Sequence, residues 1–137
     1  MKVKTWLMNL PPYFYSILVV IIVLYLTLYP DPIPNTDIML FPHIDKVIHA
    51  IMMMGVVMAL SFDYMRKGQH IKMSPLILCC FFFATVLFGV IIEFLQDYMN
   101  VGRSKDFFDF IANVIGTIVG TVIAKFWLRK IINKLFF

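Results

Sequence analysis

Charge is what this chain has least of. Only 15% of its 137 residues are Asp, Glu, Lys or Arg, against about a quarter in soluble domains. That shortage excludes an ordinary water-soluble domain, whose surface the few polar residues would not cover. Residues 5–30 carry no charge at all, nor do 73–92 or 110–124. Cysteine is scarce too. Cys79 and Cys80 are the only two, and they are adjacent inside an apolar run. A disulfide framework is therefore excluded, and both read as small apolar packing residues. The N-terminal Lys2, Lys4 and the apolar stretch behind them resemble a signal peptide, but no small-residue cleavage site follows. Pro30-Asp31-Pro32 stands there instead, so an uncleaved first membrane helix is expected. Internal repeats and low-complexity segments are also absent.

What is present is apolar: 61% of the residues are hydrophobic, and lipid is the natural solvent for much of the chain. The expected architecture is an all-α membrane protein, one domain over residues 1–137, built as a four-transmembrane-helix bundle. Pro11 and Pro12 suit a helix start, giving a first span at about 12–29. A Pro-rich connection with Pro30, Pro32, Pro34 and Pro42 follows, and it cannot be helical throughout. The second apolar run, 47–62, is 16 residues long. A span needs roughly 20, so the helix must start near Ile44 and take Asp45, Lys46 and His49 with it; the expected span is 44–63. A basic loop with Asp63, Arg66, Lys67, His70 and Lys72 comes next. Ser74-Pro75 opens a third span at 74–98. The last uncharged run, 110–124, is again short, so the fourth span, 106–126, must include Asp106, Asp109 and Asn113.

Nine of the twelve Lys and Arg residues fall in the N-terminus, the second loop and the tail. The positive-inside rule then predicts that both termini are cytoplasmic. The formal charge of +4 is thereby accounted for by orientation, and no nucleic-acid partner is expected.

The intramembrane polar residues fall at one end of this bundle, on the extracytoplasmic side. Asp45 and His49 are four apart, Glu93 and Gln96 three apart, and Asp106, Asp109 and Asn113 follow at i, i+3 and i+7. Such spacings stack side chains on one helical face. Ionisable groups at bilayer depth cost several kcal/mol each and usually mark a functional site. The three stripes are expected to face one another in one pocket, with Arg103 reaching over its mouth. His49, Glu93, Asp109 and Asp45 are the candidate catalytic residues. Asp45 can orient the imidazole as a base, and Glu93 can serve as the acid. Arg103, Gln96, Asn113 and Asp106 are the candidate ligand-binding residues, with Arg103 and backbone donors near Gly102 suited to phosphate. The carboxylates and His49 are also a possible divalent-cation set, although the sequence assigns no metal.

Plainer readings stand beside these. Lys46 and Asp45 can be an interfacial pair that snorkels to the headgroups. Asp97 and Asp106 can be solvated helix ends, and Asp106 a simple helix cap. His43, next to Pro42, reads as a surface residue. Gly116 and Gly120 form a small-xxx-small pair that signals close helix packing. His49, Glu93 and Asp109 can also be a structural network between helices.

Asp45-Lys46 with His49, then Glu93 and Gln96, then Gly102-Arg103-Ser104 with Asp106, Asp109, Asn113 and Gly116, resembles the VanZ-like family of small bacterial membrane proteins. The resemblance covers about residues 40–120. Val101 departs from it, since many relatives carry Pro before the Gly-Arg pair; only the turn is affected. The family takes its name from a protein associated with resistance to the glycopeptide antibiotic teicoplanin. The resemblance therefore implies a multi-pass protein of the bacterial cytoplasmic membrane with a cell-envelope role. A lipid-linked or anionic envelope molecule is the expected ligand. A non-catalytic accessory protein and an oligomeric transporter subunit are the rivals.

Topology is open to a direct check. With Cys79 and Cys80 replaced, Asn35→Cys is expected to react with an impermeant thiol reagent on intact cells and Gln69→Cys to be protected. The reverse pattern would put the polar end in the cytoplasm.

Overall fold

The computed structural model describes residues 6, 9–29, 43–67, 72–99 and 107–136. Among these it is helical, with α1 at Phe14–Leu28, α2 at Ile44–Lys67, α3 at Pro75–Met99 and α4 at Phe107–Ile123. A π-helical turn, Ala124–Leu128, joins α4 to α5, Arg129–Phe136, without a break. Ile44–Lys67, Pro75–Met99 and Phe107–Lys134 are each long and apolar enough to cross a membrane. At 1.5 Å per residue the shortest of them reaches about 36 Å, against a hydrocarbon core of about 30 Å. The 15 residues of α1 reach only about 22 Å.

Local chemistry accounts for the helix ends. Ser74 caps α3, its hydroxyl accepting from the Ile77 N–H at 3.3 Å, and Pro75 fills the first position, where no N–H is missed. At α1 the helix starts after the two prolines, not on them. Tyr13 adopts a left-handed conformation (φ 59°), and the Phe14 N–H donates to the Pro11 carbonyl. Five hydroxyls in the helices find acceptors within their own helix. Thr27, Ser61, Thr85, Thr117 and Thr121 each donate to the carbonyl four residues earlier. Lipid supplies no partner, so a hydroxyl here must bond inward.

The chain runs up and down. The polar end gathers the C-termini of α1 and α3 with the N-termini of α2 and α4, as Gln96–Thr27 and Lys46–Asp109 contacts show. The widest contact is between α2 and α4. A Cβ on Gly116 would collide with the Ala50 backbone carbonyl, and one on Gly120 with Val57 and with Met54 O. The two glycines therefore let the backbones touch, as the sequence pattern signals. Val23, Met52, Met53, Val56 and Ile92 form one apolar core between α1, α2 and α3. Met65, Leu78, Ala124, Leu128 and Ile132 form a second, at the opposite end. Large apolar side chains such as Ile17, Ile51, Phe83, Leu87 and Ile115 face outward, as a lipid-solvated surface requires. Cys79 and Cys80 are free and lie on that surface.

One departure from the sequence reading is informative. Asp63 and Arg66 are not in a loop. The second helix continues to Lys67 and buries both. Asp63 Oδ1 accepts from Arg66 at 2.9 Å. Its Oδ2 accepts from both the N–H and the hydroxyl of Ser16, each at 2.8 Å. Arg66 also donates to the carbonyls of Leu10 and Pro11 and lies over the Tyr15 ring. This network fastens the start of α1 to the end of α2. The short run at 47–62 was thus extended at both ends, and a charge pair three residues apart made the C-terminal extension possible.

Removing one member of this pair is expected to cost about 3–5 kcal/mol, because the other charge is left buried and alone. Asp63→Ala should therefore lower resistance to unfolding in detergent sharply. The joint change of Asp63 and Arg66 to Leu should cost less than the two single changes combined. Additive losses would contradict the pairing.

Candidate functional site

The polar end is assembled from three helices. Asp45, Lys46 and His49 come from the first turns of α2, Glu93 from the last turns of α3, and Asp109 and Asn113 from the first turns of α4. His49 is at the centre, with its ring only 1% exposed. Nδ1 lies 3.5 Å from Glu93 Oε1, and Nε2 lies 3.9 Å from Asp45 Oδ1. Glu93 Oε1 also accepts from Asn113 Nδ2 at 3.3 Å. Gly89 makes that reach possible, since a Cβ there would crowd Asn113 at 3.3 Å. Lys46 Nζ donates to Asp109 Oδ1 at 3.1 Å and sits over the Phe108 ring.

The arrangement is incompletely satisfied. His49 Nδ1 and Asn113 Oδ1 are both buried without a hydrogen-bond partner, although buried polar atoms are nearly always paired. Asp45, His49 and Asp109 each place a ligand atom within 4.8 Å of the others'. The chemistry within reach is acid–base work by an imidazole between two carboxyls, or coordination of a cation.

The sequence-predicted residues fall into three groups. His49, Glu93, Asp45, Asp109 and Asn113 are brought together. Gln96 is turned away: its side chain donates to the Thr27 carbonyl at 2.9 Å and holds the end of α1 against α3. Arg103 and Asp106 lie outside the described residues. Lys46 belongs to the site as the partner of Asp109, a pairing the sequence reading missed because it set Lys46 against its neighbour Asp45. Its i, i+3 distance from His49 was the available signal. Asp97 is exposed at the helix end.

An apolar groove of about 300 Å³ runs between α2 and α4. Its walls include Ala50, Ile51, Met54, Ile115 and Val119, and among the described residues Lys46 is its one charged lining residue. The groove thus begins at the polar end and follows the glycine contact towards mid-membrane.

The chain belongs to the VanZ/LLP1 family, whose model matches residues 3–129. No curated protein and no solved structure matches it.

Gln96 and His49 are distinguished by what they hold. Gln96→Leu leaves the Thr27 carbonyl without its side-chain donor, and the expected cost is about 1 kcal/mol of stability. The measurement is unfolding of purified protein in detergent. A neutral Gln96→Leu would contradict the assignment of this side chain to packing α1.

Proposed function

We propose that this VanZ-like membrane protein binds a lipid-linked, anionic envelope molecule at the outer face of the bacterial cytoplasmic membrane. The chain of the ligand lies in the α2–α4 groove and its head at the polar end. The observation that carries this reading is the meeting of the two surfaces at Lys46. The stem of Lys46 lines the apolar groove, and the ammonium group that this stem carries is paired with one of the site's carboxylates. Amphiphiles with an anionic head match that combination. A phosphate accepts a charge-assisted bond from Lys46, while the hydrocarbon displaces lipid from the groove at little cost.

If the bound molecule is transformed, His49 is placed to move a proton, with Asp45 on one side of the ring and Glu93 on the other. A protein that only holds or shields its ligand is the second reading. The interhelical bonds of Glu93 to Asn113 and of Lys46 to Asp109 favour it, since they give those groups a structural task as well. Either activity would alter an envelope molecule exposed outside the cell, and a glycopeptide-resistance phenotype is one consequence this reading allows.

Binding of a polyprenyl phosphate and of the uncharged polyprenol to protein in nanodiscs tests the proposal. The phosphate is expected to bind more tightly. Val119→Trp, on the exposed groove wall, should weaken both lipids by filling the groove. Lys46→Met should weaken the phosphate alone, by about tenfold or more, the worth of one charge-assisted hydrogen bond. Equal binding of both lipids, unaffected by either substitution, would overturn it.

A further inference from the structure

We propose that Asp45, His49 and Asp109 form a binding site for one divalent transition-metal cation. One imidazole nitrogen and two carboxylate oxygens lie within 4.8 Å of one another. Metal bonds to such ligands are about 2.0–2.2 Å long, so ligand atoms across one ion are at most about 4.4 Å apart. The present spacing therefore needs only a small contraction. The 3.9 Å between His49 Nε2 and Asp45 Oδ1 is already within that limit. Asp45 and His49 sit one turn apart on α2, and Asp109 enters from α4. The glycine contacts of Gly116 and Gly120 with Ala50 and Met54 hold those two helices in register.

His49 supplies the second line of argument. Its ring is buried, and Nδ1 has no hydrogen-bond partner while facing Glu93 Oε1 at 3.5 Å. A slight turn of the ring makes that contact an N–H donation to the carboxylate. In the neutral imidazole the proton then sits on Nδ1, and the Nε2 lone pair is aimed towards Asp45. A lone pair facing a carboxylate oxygen is repulsive unless a proton or a cation lies between them. Histidines that bind metals are held in this way, with the second nitrogen donating to a carboxylate. Glu93, itself held by Asn113, occupies that outer position.

The donor set decides the class of ion. An imidazole beside two carboxylates suits Zn²⁺ or Mn²⁺ better than Ca²⁺ or Mg²⁺, which favour oxygen alone. Lys46 competes with the ion for Asp109, so ammonium and metal oppose each other at that carboxylate. This inference rests on the side-chain cluster and stands apart from the lipid reading. Lys46→Met separates the two: it should weaken phosphate binding but strengthen metal binding.

The experiment is titration of chelator-treated, purified protein with Mn²⁺, followed by loss of the free-ion electron paramagnetic resonance signal, with Zn²⁺ as competitor. One saturable equivalent per chain, displaced by Zn²⁺, is expected. His49→Gln and Asp109→Asn should each weaken it by more than about tenfold, the loss that even an outer partner's removal brings. Asp45→Asn should do so as well. It changes a side chain that is 41% exposed, so the fold should survive. Asp97→Asn, at the exposed end of α3, should bind as the parent does. Absence of saturable binding in the parent would overturn the proposal, as would binding that Asp45→Asn leaves unchanged. Weaker binding by Lys46→Met would also contradict it.

Discussion

The close approach of α2 and α4 is the constraint on which the rest of the structure depends. In lipid, apolar side chains gain little by leaving one hydrocarbon environment for another, so helices associate through close packing and polar contacts. Gly116 and Gly120 provide the packing: they bring α4 against the Ala50 and Met54 backbone. That contact places Asp109 beside Lys46 and the α4 face beside His49. It also leaves the groove alongside, because backbones that touch at glycines part again where Ile115 and Val119 turn outward. Packing and site are thus two results of one choice of small residues.

The two ends of the bundle use charge differently. At one end Asp63, Arg66 and Ser16 form a network in which Asp63 meets donors at both carboxylate oxygens. Its task is to hold α1, which is shorter than α2, α3 and α4. At the other end the groups are close but incompletely bonded. His49 and Asn113 keep unpartnered atoms, and three carboxyl groups crowd one imidazole. The first network ties the start of α1 to the end of α2, whereas the second gathers carboxyls from three helices round one imidazole.

Much of this was legible in the sequence, for physical reasons. Apolar runs too short to span forced Asp45, His49, Asp109 and Asn113 into helices, and their spacing put them on single faces. Because lipid offers polar groups no partner, those faces had to meet. The glycine pair was legible for the same reason. What escaped was pairing between helices, which spacing does not encode. Lys46 is adjacent to Asp45 in sequence but reaches Asp109 across the interface. Gln96 shares a face with Glu93, yet one turn further along it meets the end of α1 instead of the site. Asp63 and Arg66 looked like loop residues because burying two charges is costly; their mutual bond and the Ser16 and carbonyl partners offset that cost. Family membership places the chain among VanZ/LLP1 proteins and leaves the chemistry to the residues.

The central claim is that the polar end works rather than merely holds the helices together. Membrane abundance measured beside complementation of a deletion strain's envelope phenotype tests it most directly, with Glu93→Gln and His49→Ala as the variants. Gln keeps the shape of Glu93 and can still hydrogen-bond to Asn113, and interhelical polar contacts average only about 0.6 kcal/mol. It supplies neither a titratable proton nor a charge. The account predicts that both variants accumulate like the parent and fail to complement, while Asp97→Asn is nearly silent. Full complementation by both Glu93→Gln and His49→Ala would contradict it and leave the polar end as interhelical glue.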